Sequence, residues 1–124
     1  MGPTERAEFE RLVTEALDAI PREFACYLEN VAVVIEDEAP PELLRDLGLD
    51  PRRDRLYGLY QGVPLSARPH DFTGLPDRIT IFAGPLVRDC RTPGALRRQI
   101  QATVVHEIAH FFGLDEGRIR RLGY

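Results

Sequence analysis

The chain reads as an α+β domain with a small mixed sheet of about three strands, an N-terminal helix, a long helix and a short C-terminal helix. Three observations carry that reading. Apolar residues recur at helical spacing from Phe9 to Ile20. Three short runs rich in β-branched and aromatic residues follow, at Val31–Ile35, Arg55–Gly62 and Arg78–Ala83. The last third holds a long helical pattern bounded by Thr92-Pro93 and Gly113. At 124 residues, positions 1–124 make one domain.

The N-terminal helix spans about Thr4 to Ala19. Phe9, Leu12, Val13, Ala16, Leu17 and Ile20 form its apolar stripe. Thr4 is its expected N-cap, and Pro21 stops the run. Pro21 to Asn30 adds a short helical piece holding Phe24 and Leu28. Val31–Ile35 is almost wholly apolar and β-branched, the pattern of a buried strand, and Glu36, Asp37 and Glu38 end it in solvent. Ala39 to Asp54 is a linker with a helical turn from Pro41 to Leu47, closed by Gly48. Arg55–Gly62 is the second strand, with a bulge or a close backbone approach at Gly58. Val63 to Asp77 holds Pro64, Pro69, Gly74 and Pro76 and forms a long loop. Arg78–Ala83 is the third strand, broken by Gly84-Pro85. Thr92 then caps the long helix and Pro93 takes its first position, where the missing N–H costs nothing. That helix runs to about Phe112 and meets Gly113, with Leu96, Ile100, Val104, Ile108 and Phe111 as its buried stripe. A last helix covers about Asp115 to Leu122.

Hydrophobic residues make up 44% and charged residues 29%, a globular profile with no apolar run near the ~20 residues of a membrane span. The first residues lack the basic start and apolar stretch of a secretory signal. Cys26 and Cys90 make no disulfide framework and no zinc knuckle, so both read as reduced thiols. A net charge of −4 gives no general attraction to nucleic acid or anionic membrane. The expectation is a cytoplasmic monomer with no nucleic-acid or membrane partner.

The chemistry sits inside the long helix. His106-Glu107-Ile108-Ala109-His110 is an HExxH motif. His106 and His110 project about 40° apart, one turn above each other, and point away from the Val104/Ile108 stripe. Two imidazoles so placed can grip one zinc ion through nitrogen. Glu107 lies about 100° round from His106. There it is poorly placed as a further ligand on the same row, but it reaches a water bound to the metal and can serve as general base. Two exposed histidines and a glutamate on a helix face are the blander reading. The capped helix, its apolar opposite face and the glycine after His110 favour the metal.

Gly113 lets the chain turn back, so the string extends to HExxHxxGxxE. Glu116 is the expected third ligand. Asp115 is an alternative, and so is His70 from the long loop. Asp115 and Glu116 could instead cap the last helix. Tyr57, Tyr60 and Tyr124 are candidate oxyanion donors, although strand tyrosines more often serve as packing. Arg118, Arg120 and Arg121 read as a solvated face, and Cys26 and Cys90 as small hydrophobes. A substrate peptide is expected to add along Arg78–Ala83 as an open sheet edge, the alternative being that Arg55–Gly62 is the edge.

The segment Thr103 to Glu116, followed by Leu122-Gly123, resembles the bacterial minimal zincin-like metallopeptidases. Val33–Glu38 resembles that family's first strand and Leu59–Leu65 its second. Asp77–Phe82 and Arg91–Pro93 match as well, so the likeness runs from about Phe9 onward. It implies a compact zincin-like fold, HExxH on an active-site helix and an acidic third ligand past the glycine. It names no substrate. The metzincins share HExxHxxG, but here the third ligand is acidic and the single methionine is Met1, so no methionine turn can underlie the metal. The function expected is zinc-dependent peptide hydrolysis with Glu107 as base, on a peptide or protein substrate. The alternatives are a zinc-holding interaction module with little turnover and a protease of one partner or repressor.

Overall fold

The structure is a computed structural model that describes residues 2–20, 22–62 and 77–121. In chain order its elements are α1 (Pro3–Asp18), α2 (Arg22–Ala25), a 3-10 turn (Cys26–Asn30), β1 (Val31–Glu36), α3 (Pro41–Asp46), β2 (Gly58–Gln61), β3 (Asp77–Phe82), α4 (Ala83–Asp89), α5 (Pro93–Phe111) and α6 (Glu116–Arg121). The fold is α+β with a small mixed sheet, as expected. The loop expected over Val63–Asp77 lies outside the described residues up to position 76, as do His70 and Tyr124.

The strands lie in the order β1-β3-β2, with β1 parallel and β2 antiparallel to β3. Arg78–Ala83 is therefore no open edge, which corrects the expectation that a substrate adds there. Its Ile79, Thr80, Ile81 and Phe82 are all buried. A strand paired on both sides and covered by helices buries both of its faces, and this one does so from Ile79 onward. Among the described residues β2 is an edge instead. Phe82 N–H donates to Tyr57 O at 2.8 Å. By antiparallel alternation Leu59 and Gln61 also face β3, and Gly58 and Tyr60 turn their backbone groups outward.

One core joins the layers. Phe9, Leu12, Val13 and Ala16 of α1 pack with Ile79 and Ile81 of β3 and with Ile100, Val104, Ile108 and Phe111 of α5. Burying a side chain of this size contributes about 1.5–3 kcal/mol. Arg6 pins α1 to the end of β1, donating to Ile35 O at 2.7 Å and to Asp37 Oδ1 at 2.8 Å.

Several boundaries differ from the sequence reading: β2 starts at Gly58 rather than Arg55, and β1 extends to Glu36. Gly2, not Thr4, is the N-cap of α1, because Pro3 takes the first helical position. Gly84-Pro85 ends β3 but opens α4. A proline in the first turn gives up an N–H that has no partner there in any case. No helix among the described residues is long and apolar enough to cross a membrane, and no disulfide joins Cys26 to Cys90.

Candidate active site

α5 begins as its sequence demands. Thr92 Oγ1 accepts the Ala95 N–H at 3.1 Å, and Pro93 follows. Its end places the site. Gly113 has φ +89°, a conformation that favours glycine. Gly113 N–H donates to His110 O at 2.8 Å and Leu114 N–H to Ala109 O at 3.0 Å. That paired bonding is the Schellman closure, which reverses the chain after Phe112. Asp115 then caps α6, its Oδ1 accepting the Arg118 N–H at 2.8 Å. Ile119, fully buried, anchors α6 to the body of the protein. Glu116 thus becomes the first residue of α6 and is carried back over α5.

The result is a convergence. His106 Nε2 lies 3.0 Å and His110 Nε2 2.7 Å from Glu116 Oε1. The two rings stand 5.0 Å apart. Donor atoms of His106, Glu107 and His110 all fall within 4.8 Å of one another. Both imidazoles are partly exposed, whereas Glu107 is 7% exposed. Of the residues expected in the site, these four come together. Asp115 instead spends a carboxylate oxygen on the helix cap.

The two carboxyl groups are tuned in opposite directions. Burial pushes Glu107 above the usual carboxylate range, partly offset by the Tyr60 N–H that it accepts. For Glu116, burial also acts upward, but hydrogen bonds to His106 and His110 outweigh it and hold the group below its usual value.

Sequence reasoning missed what holds Glu107. Tyr60 N–H, on the outer edge of β2, donates to Glu107 Oε1 at 2.8 Å. β2 can come this close because of Gly58. A Cβ there would sit 2.7 Å from Thr103 Cγ2 and 3.4 Å from Glu107 Cγ. The glycine inside an otherwise aromatic and aliphatic strand was the available signal, and of its two readings the close approach is the one observed. The expected tyrosine donors are engaged elsewhere. Tyr57 O–H donates to Asp89 Oδ2 at 2.5 Å, which pushes its pKa up to about 12. Tyr60 O–H donates to Asp77 Oδ1 at 2.6 Å.

Two hollows share Glu107 in their walls, one beside the start of β2 and one beside its end. One, of about 240 Å³, is walled by Tyr57, Gly58, Gln99 and Thr103. The other, of about 350 Å³, is walled by Leu59, Tyr60, His110 and Leu114.

Comparison with known proteins adds the following. A family model described as zincin-like metallopeptidase matches residues 28–124. A conserved hypothetical protein from Thermo thermophilus has a similar structure, with a TM-score of 0.58 and 23% identity over 89% of this chain and 95% of that one. At that identity the likeness bears on the fold alone. No curated protein matches the chain.

Proposed function

The chain belongs to the zincin-like metallopeptidase family, and from that premise we propose that it is a zinc-dependent peptidase. The observation that carries this reading is the meeting of His106 Nε2 and His110 Nε2 at one Glu116 oxygen, 3.0 and 2.7 Å away, with Glu107 beside them. Imidazole nitrogens and carboxylate oxygen are a donor set that zinc takes, so the residues present fit the ion. His106 and His110 hold it, with Glu116 as the third ligand. A bound zinc supplies a Lewis acid and a water of lowered pKa.

The side chains do the rest. A ligand must be deprotonated, and the histidines already favour that form of Glu116. Glu107 is buried and held at one oxygen by the Tyr60 N–H. It takes the proton of the attacking water and returns it to the leaving amine. A site that merely held metal would have no use for it. An extended peptide runs along the outer edge of β2, where Gly58 and Tyr60 turn their carbonyls, and its side chains enter the two flanking hollows.

Calorimetric titration with zinc tests this reading together with a peptide-cleavage assay. One ion per chain is expected, with binding lost in His106→Ala and in His110→Ala, and hydrolysis lost with it. Undiminished zinc binding in both variants would place the metal elsewhere and end the proposal.

A further inference from the structure

We infer that Tyr60 is a positioning residue: through its hydroxyl bond to Asp77 it fixes the β2 edge so that its own backbone N–H holds Glu107 for proton transfer. The inference rests on the proposal that Glu107 is the general base.

Three contacts make the case. Tyr60 O–H reaches Asp77 Oδ1 at 2.6 Å, and Asp77 is only 5% exposed, at the start of central β3. The Tyr60 ring meets Phe111 of α5 edge-on, centroids 5.8 Å apart. The Tyr60 N–H lies 2.8 Å from Glu107 Oε1. One residue is thus tied to the sheet, to the active-site helix and to the base. The bond to Glu107 spans 47 positions of sequence, so nothing local keeps it in place.

Among the described residues β2 is a short edge strand, and weakly held segments open first. Left to pair with β3 alone, Tyr60 would let its N–H swing away from α5. The hydroxyl bond to a buried carboxylate resists that. The neighbouring residue is shaped to allow it. Gly62 has φ +153°, and a Cβ there would stand 2.2 Å from Asp77 Oδ1 and 2.8 Å from the Tyr60 hydroxyl oxygen. Any side chain at position 62 displaces the Tyr60–Asp77 pair. A carboxylate acting as base must stand within hydrogen-bond reach of its water, and a shift of about 1 Å can cost 100-fold in rate. A tether at Oε1 leaves Glu107 its second oxygen for the proton.

The test uses the zinc-loaded protein, a cleavable peptide and hydrogen exchange read at single amides. Tyr60→Phe removes the hydroxyl, and Gly62→Ala crowds the same pair from the wall of the second hollow. Both should lower kcat by about 10- to 100-fold, a larger effect than on KM, with zinc stoichiometry near wild type. In both, the Tyr60 amide should exchange about tenfold faster while Ile79 and Ile81 stay protected. Val13→Ala, in the α1 core, lowers global stability without touching β2 and should leave kcat unchanged. That separates positioning from mere destabilisation. If both variants keep wild-type kcat and Tyr60 protection while Glu107→Gln is inactive, Tyr60 does not position the base, although the peptidase reading stands. If Glu107→Gln itself hydrolyses at the wild-type rate, the base assignment fails and the inference fails with it.

Discussion

Gly58→Ala is the substitution that bears most directly on how the sheet meets the active-site helix. Gly58 is buried on β2, opposite Ile81. An added methyl would lie 2.7 Å from Thr103 Cγ2, 3.2 Å from Thr80 O and 3.4 Å from Glu107 Cγ. Carbon atoms settle near 3.5 Å or beyond, so strand and helix must part by about 0.8 Å at the tightest contact. Overpacking of this kind costs about 1–3 kcal/mol. Replacing glycine in a strand returns about 0.5–1 kcal/mol of backbone entropy. The net loss is about 0–2.5 kcal/mol, up to roughly 10 °C in Tm for a domain of this size, so the coupling to Thr103 is the deciding quantity. Thr103→Ser removes the methyl that the new one meets and keeps the hydroxyl that faces Gln99. The Thr80 carbonyl is backbone and cannot be removed. The double variant should therefore recover part of the loss, with a coupling of at least about 0.5 kcal/mol. Urea unfolding of the four metal-free proteins measures this. Gly58→Ala at wild-type stability, with no coupling to Thr103→Ser, would show that β2 does not bear on α5 as described.

Further outcomes follow from the same geometry. Glu116→Ala should weaken zinc binding by one or more orders of magnitude, whereas Asp115→Ala should cost only the α6 cap, about 1 kcal/mol; competition titrations and thermal melts read the two, and the reverse ranking would give the ligand role to Asp115. Chelation should leave the far-UV circular dichroism largely intact, since a 124-residue chain buries enough surface to fold without a metal staple, and should lower stability by about 2.7 kcal/mol from a starting zinc excess of 100 times Kd; an apo protein that unfolds outright would make the metal structural. Tyr57 should titrate late in an ultraviolet titration at alkaline pH. Its folded pKa is raised to about 12 by the bond to Asp89, so its contribution to stability is whole below the usual tyrosine pKa of about 10 and is lost as pH climbs through the folded value. Tyr57→Phe should remove one tyrosine from that late phase, and an unchanged titration curve would dissociate Tyr57 from Asp89.

Much of α5 and its surroundings was legible because the signals are local. Thr92, Pro93 and Gly113 each act within a few residues, and HExxH needs only helical geometry to bring its side chains together. Glu116 followed from the same turn. The strand order was not legible, since pairing joins Val31 to Asp77 and Gly58 to Ile81 across long stretches of chain. A warning was present: Ile79-Thr80-Ile81-Phe82 is nearly continuous apolar sequence, which suits a central strand better than an edge. α4 was hidden by Gly84-Pro85, a pair that ends strands and yet fits the first turn of a helix. The bonds from Tyr60 to Glu107 and Asp77 are purely tertiary, and only the glycines that make room for them, Gly58 and Gly62, left a mark in the sequence.

Mass spectrometry of a peptide library incubated with the zinc-loaded protein in ¹⁸O-labelled water tests the peptidase assignment most directly. The prediction is new carboxyl termini carrying the label, made by the wild-type chain and absent with Glu107→Gln at equal zinc occupancy. Labelled termini made equally well by Glu107→Gln, or no cleavage of any peptide by a wild-type chain that holds one zinc ion, would contradict it.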